Sequence, residues 1–340
     1  MTLDEFKTKN GLDKPYAHAD AGRVTAPVRL DAGEEAFFQL QLTYIERQQH
    51  EIKHKPMRAA LFIPVTAEAP AGAESIQVRY YDIVGQAKFV HDYASDFPAA
   101  NTLGSFKTFQ IKSIGISFRY SVQEIRRAQM AGLPLDQREA LAAEEAIERL
   151  IDAVAWLGDQ STGCLGLLNY PGTNTYSLPA TGTGSSTLWT TKTPQQIIAD
   201  VTALITTVHV ATNMVERPNV LLLPPALYDY IAVTQVGTFN DKTILAYLED
   251  NLKRIGIEQI DWINELAGIG TAGNIPAGAT QSNRIIAYVK SPRHLKLEVP
   301  VAFEMFPPQQ ENLQYNIPCH ARTAGVVHYY PLSVVIADGA

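Results

Sequence analysis

The chain has 340 residues, 46% of them hydrophobic, with a formal net charge of −7 and a pI near 5.6. That length admits two or three domains with sizeable cores, and the acidic balance argues against sequence-independent nucleic-acid binding through bulk charge. Cys164 and Cys319 alone give no disulfide framework and no thiolate metal pattern, the N-terminus MTLDEFKTKNG lacks an apolar signal region, and no run of about 18 apolar residues offers a membrane span.

Residues 1 to about 33 are polar and punctuated by Gly11, Pro15, Gly22, Pro27 and Gly33. They read as an extended arm without a core of its own, which needs a partner to lie on. Glu34 to Lys55 reads as a helix closed by Pro56, and Leu61 to Val65 as a short strand. In Glu74 to Val84 the alternation of Ile76, Val78 and Tyr80 predicts a half-buried strand. A polar excursion follows over 85–105, and Phe106 to Tyr120 is β again. There the apolar positions change parity at Ser113, which predicts a bulge or bend where the strand leaves one sheet for another. A hairpin this long cannot be stable alone, so something must cover it.

Ser121 to Ala131 is expected as a short helix with a capping Ser, broken by Gly132-Leu133-Pro134. Asp136 to Gly158 is the organising stretch. Ile147, Leu150, Ile151, Val154 and Leu157 make one apolar helical face, Glu145 can pair with Arg149, and Gly158 suits the terminator position. Residues 163–186 are loop-rich. Then Thr193-Pro194 starts a helix to Met214, Asn219 to Leu223 is a buried-type strand, Pro225 to Val233 and Lys242 to Ile255 are helices, and Glu258 to Ile263 and Arg284 to Val289 are strands. This alternation predicts a compact α/β domain. Leu313 to Ile317, Gly325 to Tyr330 and Leu332 to Ile336 are β and are expected to return to the sheet beside the long helix.

Two motifs invite an enzymatic reading. His50-Glu51-Ile52-Lys53-His54 is a literal HExxH, which on a helix places two zinc ligands on one face with a general base between them. Gln48, Gln49, Lys53 and Lys55 surround it, and Pro56 ends the helix, so a solvated helix end is the plainer reading. Gly268-Ile269-Gly270-Thr271-Ala272-Gly273 is a literal GxGxxG, but Asn274-Ile275-Pro276 does not open a helix to face a phosphate. A loop at an interface is the reading adopted. Gly182-Thr183-Gly184-Ser185-Ser186 lacks the lysine of a P-loop. No catalytic, cofactor or metal residues are expected.

The order of parts resembles the tailed-phage major capsid proteins of the Hong Kong 97 type. PAGAESIQVRYYDIVGQAKFV (70–90) resembles the ascending strand of that family's extended loop, and FQIKSIGISFRYSVQEIRRAQMAGLPLD (109–136) its descending strand and junction. EEAIERLIDAVAWLGDQSTGCLGLLN (144–169) resembles the spine helix, and IPCHARTAGVVHYYPLSVVIADG (317–339) the closing strands. The resemblance implies an α+β fold with an N-terminal arm (1–33), a helix and lead-in strand (34–73), and an extended loop (74–120, tip about 82–106). It further implies a peripheral domain with its spine helix (121–189, helix 136–158), an axial α/β domain (190–305) and return strands of the peripheral domain (306–340).

It implies a structural protein, not an enzyme, that self-assembles as pentamers and hexamers into an icosahedral shell around double-stranded DNA. A portal protein and a scaffold or decoration protein would be its partners, with no cofactor and no membrane. Assembly would occur in the host cytoplasm, and the shell would be a virion component. Val84, Lys88, Phe89, Tyr93, Phe97 and Phe106 of the excursion, with Gly268, Gly270 and Gly273, are the expected subunit-interface residues. Some relatives cross-link through a Lys and an Asn. Lys88 and Lys107 lie near the loop, but no matching Asn stands out. A cleaved scaffolding segment is not expected. An encapsulin-like nanocompartment shell is the alternative of the same fold, and a zinc metallopeptidase through His50, Glu51 and His54 the alternative of another class.

Overall fold

The structure, a computed structural model, describes residues 54–85, 87–89, 99–131, 135–237, 240–269 and 283–340. Contacts divide the chain into Met1–Pro56 and Met57–Ala340. Among the described residues, every helix and strand belongs to the second unit. The expected arm, and the expected helix up to residue 53, lie outside the described residues. His54 and Lys55 are not helical.

A one-turn helix α1 (Ala59–Phe62) stands where a strand was expected, and the strand β1 is confined to Val65–Thr66. The apolar run Leu61–Ile63 carries no alternation, so it fits a helical plug as well as a strand. Phe62 and Ile63 are that plug, both fully buried. The strands β2 (Ser75–Val84) and β3 (Asn101–Gln110) pair antiparallel over their whole length, from Ser75↔Gln110 to Val84↔Asn101. After Ile111 the chain continues as β4 (Lys112–Ser121), which pairs with a different strand. The expected change of sheet is therefore present, two residues before the parity switch. The polar stretch 101–105, expected in the excursion, is part of β3.

Helix α2 (Val122–Ala131) is capped as expected. Ser121 Oγ accepts from Gln123 N at 3.1 Å, and Glu124 Oε2 accepts from Ser121 N at 2.9 Å. The long helix α3 (Leu135–Leu157) ends at Gly158, whose φ of +66° is left-handed and whose N–H donates to Val154 O at 2.8 Å. The chain then folds back over the helix end, with Leu167 N and Leu168 N donating to Ala155 O and Trp156 O at 2.8 Å. This satisfies carbonyls a helix terminus leaves open.

The strand β5 (Asn174–Ser177) emerges from the loop-rich stretch. Helix α4 (Pro194–Ala211) starts on the expected Thr193 cap, a capping box closed by Gln196, and stops short of Met214. Then come β6 (Val220–Leu223), α5 (Pro225–Val233), a small hairpin β7 (Gln235–Gly237) and β8 (Asn240–Thr243), α6 (Ile244–Ile255) and β9 (Gln259–Trp262). The strands β10 (Arg284–Tyr288), β11 (Leu295–Glu298), β12 (Val301–Met305) and β13 (Gln309–Glu311) follow. The chain closes with β14 (Gln314–Thr323), β15 (Gly325–His328) and β16 (Val334–Asp338).

These strands form a five-stranded mixed sheet in the order β5-β16-β10-β6-β9. Leu221, Leu223, Ile285, Ala287, Val335 and Ala337 point into one core, with Ile197, Val201, Leu204, Leu227 and Leu248 of the helices α4, α5 and α6. Val220, Leu222, Ile286, Tyr288, Val334 and Ile336 point into a second core with Ala155 and Trp156 of α3 and Phe62 and Ile63. A sheet buried on both faces explains why VLLL and RIIAY are apolar without alternation. The long helix also covers a second sheet, in which β14 pairs with β4 from Gln314↔Ser121 to Thr323↔Lys112. Ala143 and Ile147 pack there on Phe118, Tyr120, Ile317, Cys319 and Ala321.

Of the closing strands expected in one sheet beside the long helix, β14 joins the sheet covered by Ala143 and Ile147 of that helix, whereas β16 joins the α/β sheet, one face of which packs on Ala155 and Trp156 at the same helix's end. The last strand lies in the α/β sheet between β5 and β10. VVIA is apolar on both faces, and only a sheet covered on both sides accommodates that. β15 joins a third sheet, β1-β11-β15.

Candidate subunit interface

The β2–β3 hairpin is where the described molecule is incomplete. Strand geometry sends alternate residues to opposite faces. One face carries Ile76, Val78 and Tyr80 on β2 and Phe109 and Lys107 on β3. At the root, Ile76, Val78 and Phe109 pack with Ile111, Tyr170, Ala324 and Val327. The other face carries Arg79, Tyr81 and Ile83, opposite Phe106, Gly104 and Thr102. Here Tyr81 is 70%, Ile83 81% and Phe106 68% exposed, and Leu103 on the first face is 61% exposed. A Cβ on Gly104 would lie 3.8 Å from the Tyr81 ring, so the ring leans over the glycine. Among the described residues β2 and β3 pair only with each other. A two-stranded ribbon with apolar residues on both faces is marginal in water.

The root has its own electrostatics. His328 of β15 is fully buried, its ring centroid 4.2 Å from that of Tyr170. Neither ring nitrogen has a hydrogen-bond partner among the described residues. Burial, with the nearby Lys107 ammonium, pushes its pKa down to about 3, so the ring is neutral. Burial likewise pushes Tyr170 up to about 12 and raises Tyr80, whose hydroxyl also lacks a partner among the described residues. The Lys107 ammonium lies 5.9 Å from the Tyr80 ring centroid.

The expected interface residues divide as follows. Val84, Lys88, Phe89 and Phe106 are all exposed on or beside the hairpin, Phe89 completely. Gly268 has a φ of +68° and donates its N–H to Asn283 Oδ1 at 3.4 Å, away from the hairpin strands. Tyr93, Phe97, Gly270 and Gly273 lie outside the described residues. Tyr81, Ile83 and Leu103 are exposed apolar residues that the alternation pattern did not single out. Tyr81 and Ile83 share the parity opposite to Ile76, Val78 and Tyr80, which was the available signal. Of the HExxH motif only His54 is described, in an exposed coil. Among the described residues no three His, Cys, Asp or Glu side chains are grouped to hold a metal ion, and no helix is long and apolar enough to cross a membrane.

The fold is one found in capsid and virus-like-particle proteins. The fold matches the capsid of the Myoviridae phage XM1 with a TM-score of 0.73 at 16% identity, over 88% of this chain and 98% of that one. It also matches the capsid of a native GTA particle, with a TM-score of 0.60 at 10% identity, over 93% and 100% of the two chains. A virus-like particle from Pyrococcus furiosus matches with a TM-score of 0.50 at 13% identity, over 82% and 91%. A comparison with curated protein sequences returned no match.

The family model described as major capsid protein matches residues 85–340, and the chain belongs to that family. It is a structural capsid protein with the Hong Kong 97-type fold, a virion component that associates with copies of itself and not an enzyme.

Proposed function

We propose that copies of this chain assemble as pentamers and hexamers into an icosahedral shell that encloses double-stranded DNA, put together in the host cytoplasm. A portal protein and a scaffold or decoration protein complete the particle. The carrying observation is the distal hairpin. Tyr81, Ile83 and Phe106 on one face and Leu103 on the other keep most of their apolar surface exposed, and a second copy is the partner that a self-associating capsid protein supplies. Val84, Lys88 and Phe89 extend that interface. In this reading the α3 region is the peripheral domain and the helix-covered sheet the axial domain, with β16 contributed to the latter from the C-terminus.

The purified chain should form closed particles of uniform diameter by negative-stain microscopy, and particles from the source should protect DNA from nuclease. A discrete small oligomer under all conditions sinks the proposal. A shell that houses protein in place of DNA is the second reading, favoured by the likeness to the virus-like particle. Particles from the source that hold protein and no DNA would establish it.

A further inference from the structure

The segment 64–73, PVTAEAPAGA, joins the body to the first strand of the hairpin. It has little with which to hold itself in place. Its only regular structure is β1, and only Ala69 and Ala73 of its loop take part in the cluster at the hairpin root. Its position comes from hydrogen bonds to β11. Leu297 N donates to Pro64 O at 2.8 Å and Val299 N to Thr66 O at 2.9 Å.

The charged groups are more unusual. The Glu298 side chain is completely buried at the end of β11. One carboxylate oxygen accepts from Thr66 Oγ1 and the other from Ala69 N, both at 2.7 Å. The Lys296 ammonium lies 3.2 Å from the same carboxylate and donates to Glu68 of the segment. Further along, the Arg322 guanidinium donates to Ala71 O. On the other side of the hairpin the anchor is covalent continuity through Ile111 into β4, with Ile111 N donating to Glu74 O at 2.9 Å.

We infer that Glu298, with Lys296, is the positioning residue that fixes the direction in which the hairpin leaves the body. Beyond the packing of Ile76, Val78 and Phe109 at its root, the hairpin is held at two points of the chain that enters and leaves it. The β3 side runs on into β4, which pairs with β14 from Gln314↔Ser121 to Thr323↔Lys112. The β2 side is held by a buried carboxylate gripping the two ends of a four-residue stretch, Thr66 to Ala69, six residues before β2 begins at Ser75. Charge-assisted bonds of this kind are short and strong, and in a buried site nothing replaces them when they are lost. A ribbon pinned at one end swings, while a ribbon pinned at both points one way. This inference rests on the hairpin's proposed role at the interface only for its purpose, and its test does not need a shell.

The test places spin labels on cysteines introduced at the exposed positions Ile83 and Val210 of the full chain and measures their separation by pulsed electron paramagnetic resonance. A narrow distribution is expected in the parent and a broadened one in Glu298→Gln. Hydrogen exchange in 75–84 should be roughly tenfold faster, with β6 and β10 unchanged. If Glu298→Gln does not fold, Thr66→Val removes one bond of the grip and leaves the charges in place, and a smaller broadening is expected. A merely structural contribution lowers the melting temperature without widening the distribution, and that result overturns the inference. Failure of the parent to form shells, with broadening still seen in the variant, overturns the proposed function and leaves the clamp standing.

Discussion

Buried His328 makes a prediction in which sign and size both follow from the structure. Its pKa is about 3 in the fold, and its ordinary value is 6.5. A group depressed in this way is neutral in the folded protein and protonated in the unfolded chain over the interval between the two values. The unfolded state then binds more protons, so stability falls as pH drops from about 6.5 towards 3 and flattens below. One pKa unit corresponds to about 1.4 kcal/mol, so lowering the pH from 7 to 4 removes about 3 kcal/mol through this residue alone.

The groups facing the ring work in the same direction or are silent. Lys107 opposes a second positive charge, and Tyr170 and Tyr80 stay protonated throughout. Carboxylates also lose stability in acid. The measurement is therefore the difference between the parent and His328→Leu in urea titrations at several pH values. The variant's stability should fall with pH less steeply, the gap reaching about 3 kcal/mol at pH 4. At pH 7 the variant should be near neutral or more stable, because it removes two buried nitrogens without partners. Parallel pH curves, or a His328 imidazole titrating near 6.5 by NMR, would refute the reasoning.

Ile83→Asp, at an 81% exposed position, should change subunit stability by no more than about 0.5 kcal/mol yet abolish or strongly delay particle formation by light scattering; unchanged assembly counts against the hairpin as an interface. Gly166→Ala should destabilise by about 3 kcal/mol or more, because its Cβ would sit 2.6 Å from Leu157 C and Trp156 O, both backbone atoms that cannot give way. A melting temperature within a degree of the parent would show that the fold-back relaxes. Lys192→Met strands Asp200, whose carboxylate takes a 2.6 Å bond from Lys192 Nζ and a 3.2 Å bond from Trp189 Nε1 in a buried site. A loss of about 3–5 kcal/mol is expected, and a near-silent substitution would mean that Asp200 is neutral in the fold.

Much of this molecule was legible in one dimension. The helices α2 to α6 follow from apolar spacing, and their ends from local chemistry: Ser121 and Thr193 as caps, prolines at 194, 224 and 225, and Gly158 where φ turns positive. The change of sheet between β3 and β4 was written in a parity shift. These signals are local because a cap or a pleat is satisfied within a few residues of itself.

Tertiary structure alone decided which sheet each strand joins. β16 and β14 are close in sequence, yet one lies in the five-stranded α/β sheet and the other in the sheet with β4, β12 and β13. The choice depends on which surfaces elsewhere in the chain are left to be covered. The same holds for Glu298, Arg58 and His328. Nothing near Glu298 in sequence announces that it will grip Thr66 and Ala69. Arg58 Nη2 donates to both carboxylate oxygens of Asp261 at 3.0 Å across 203 residues of chain. The sequence by itself determined most of the helices and the main strands, and that a long ribbon would lack cover, while it missed the short strands β5, β7, β8, β11, β12 and β13 and took the helix α1 for a strand. Only the folded chain decided which charges meet and which histidine loses its water, because burial belongs to the packed whole and not to any segment.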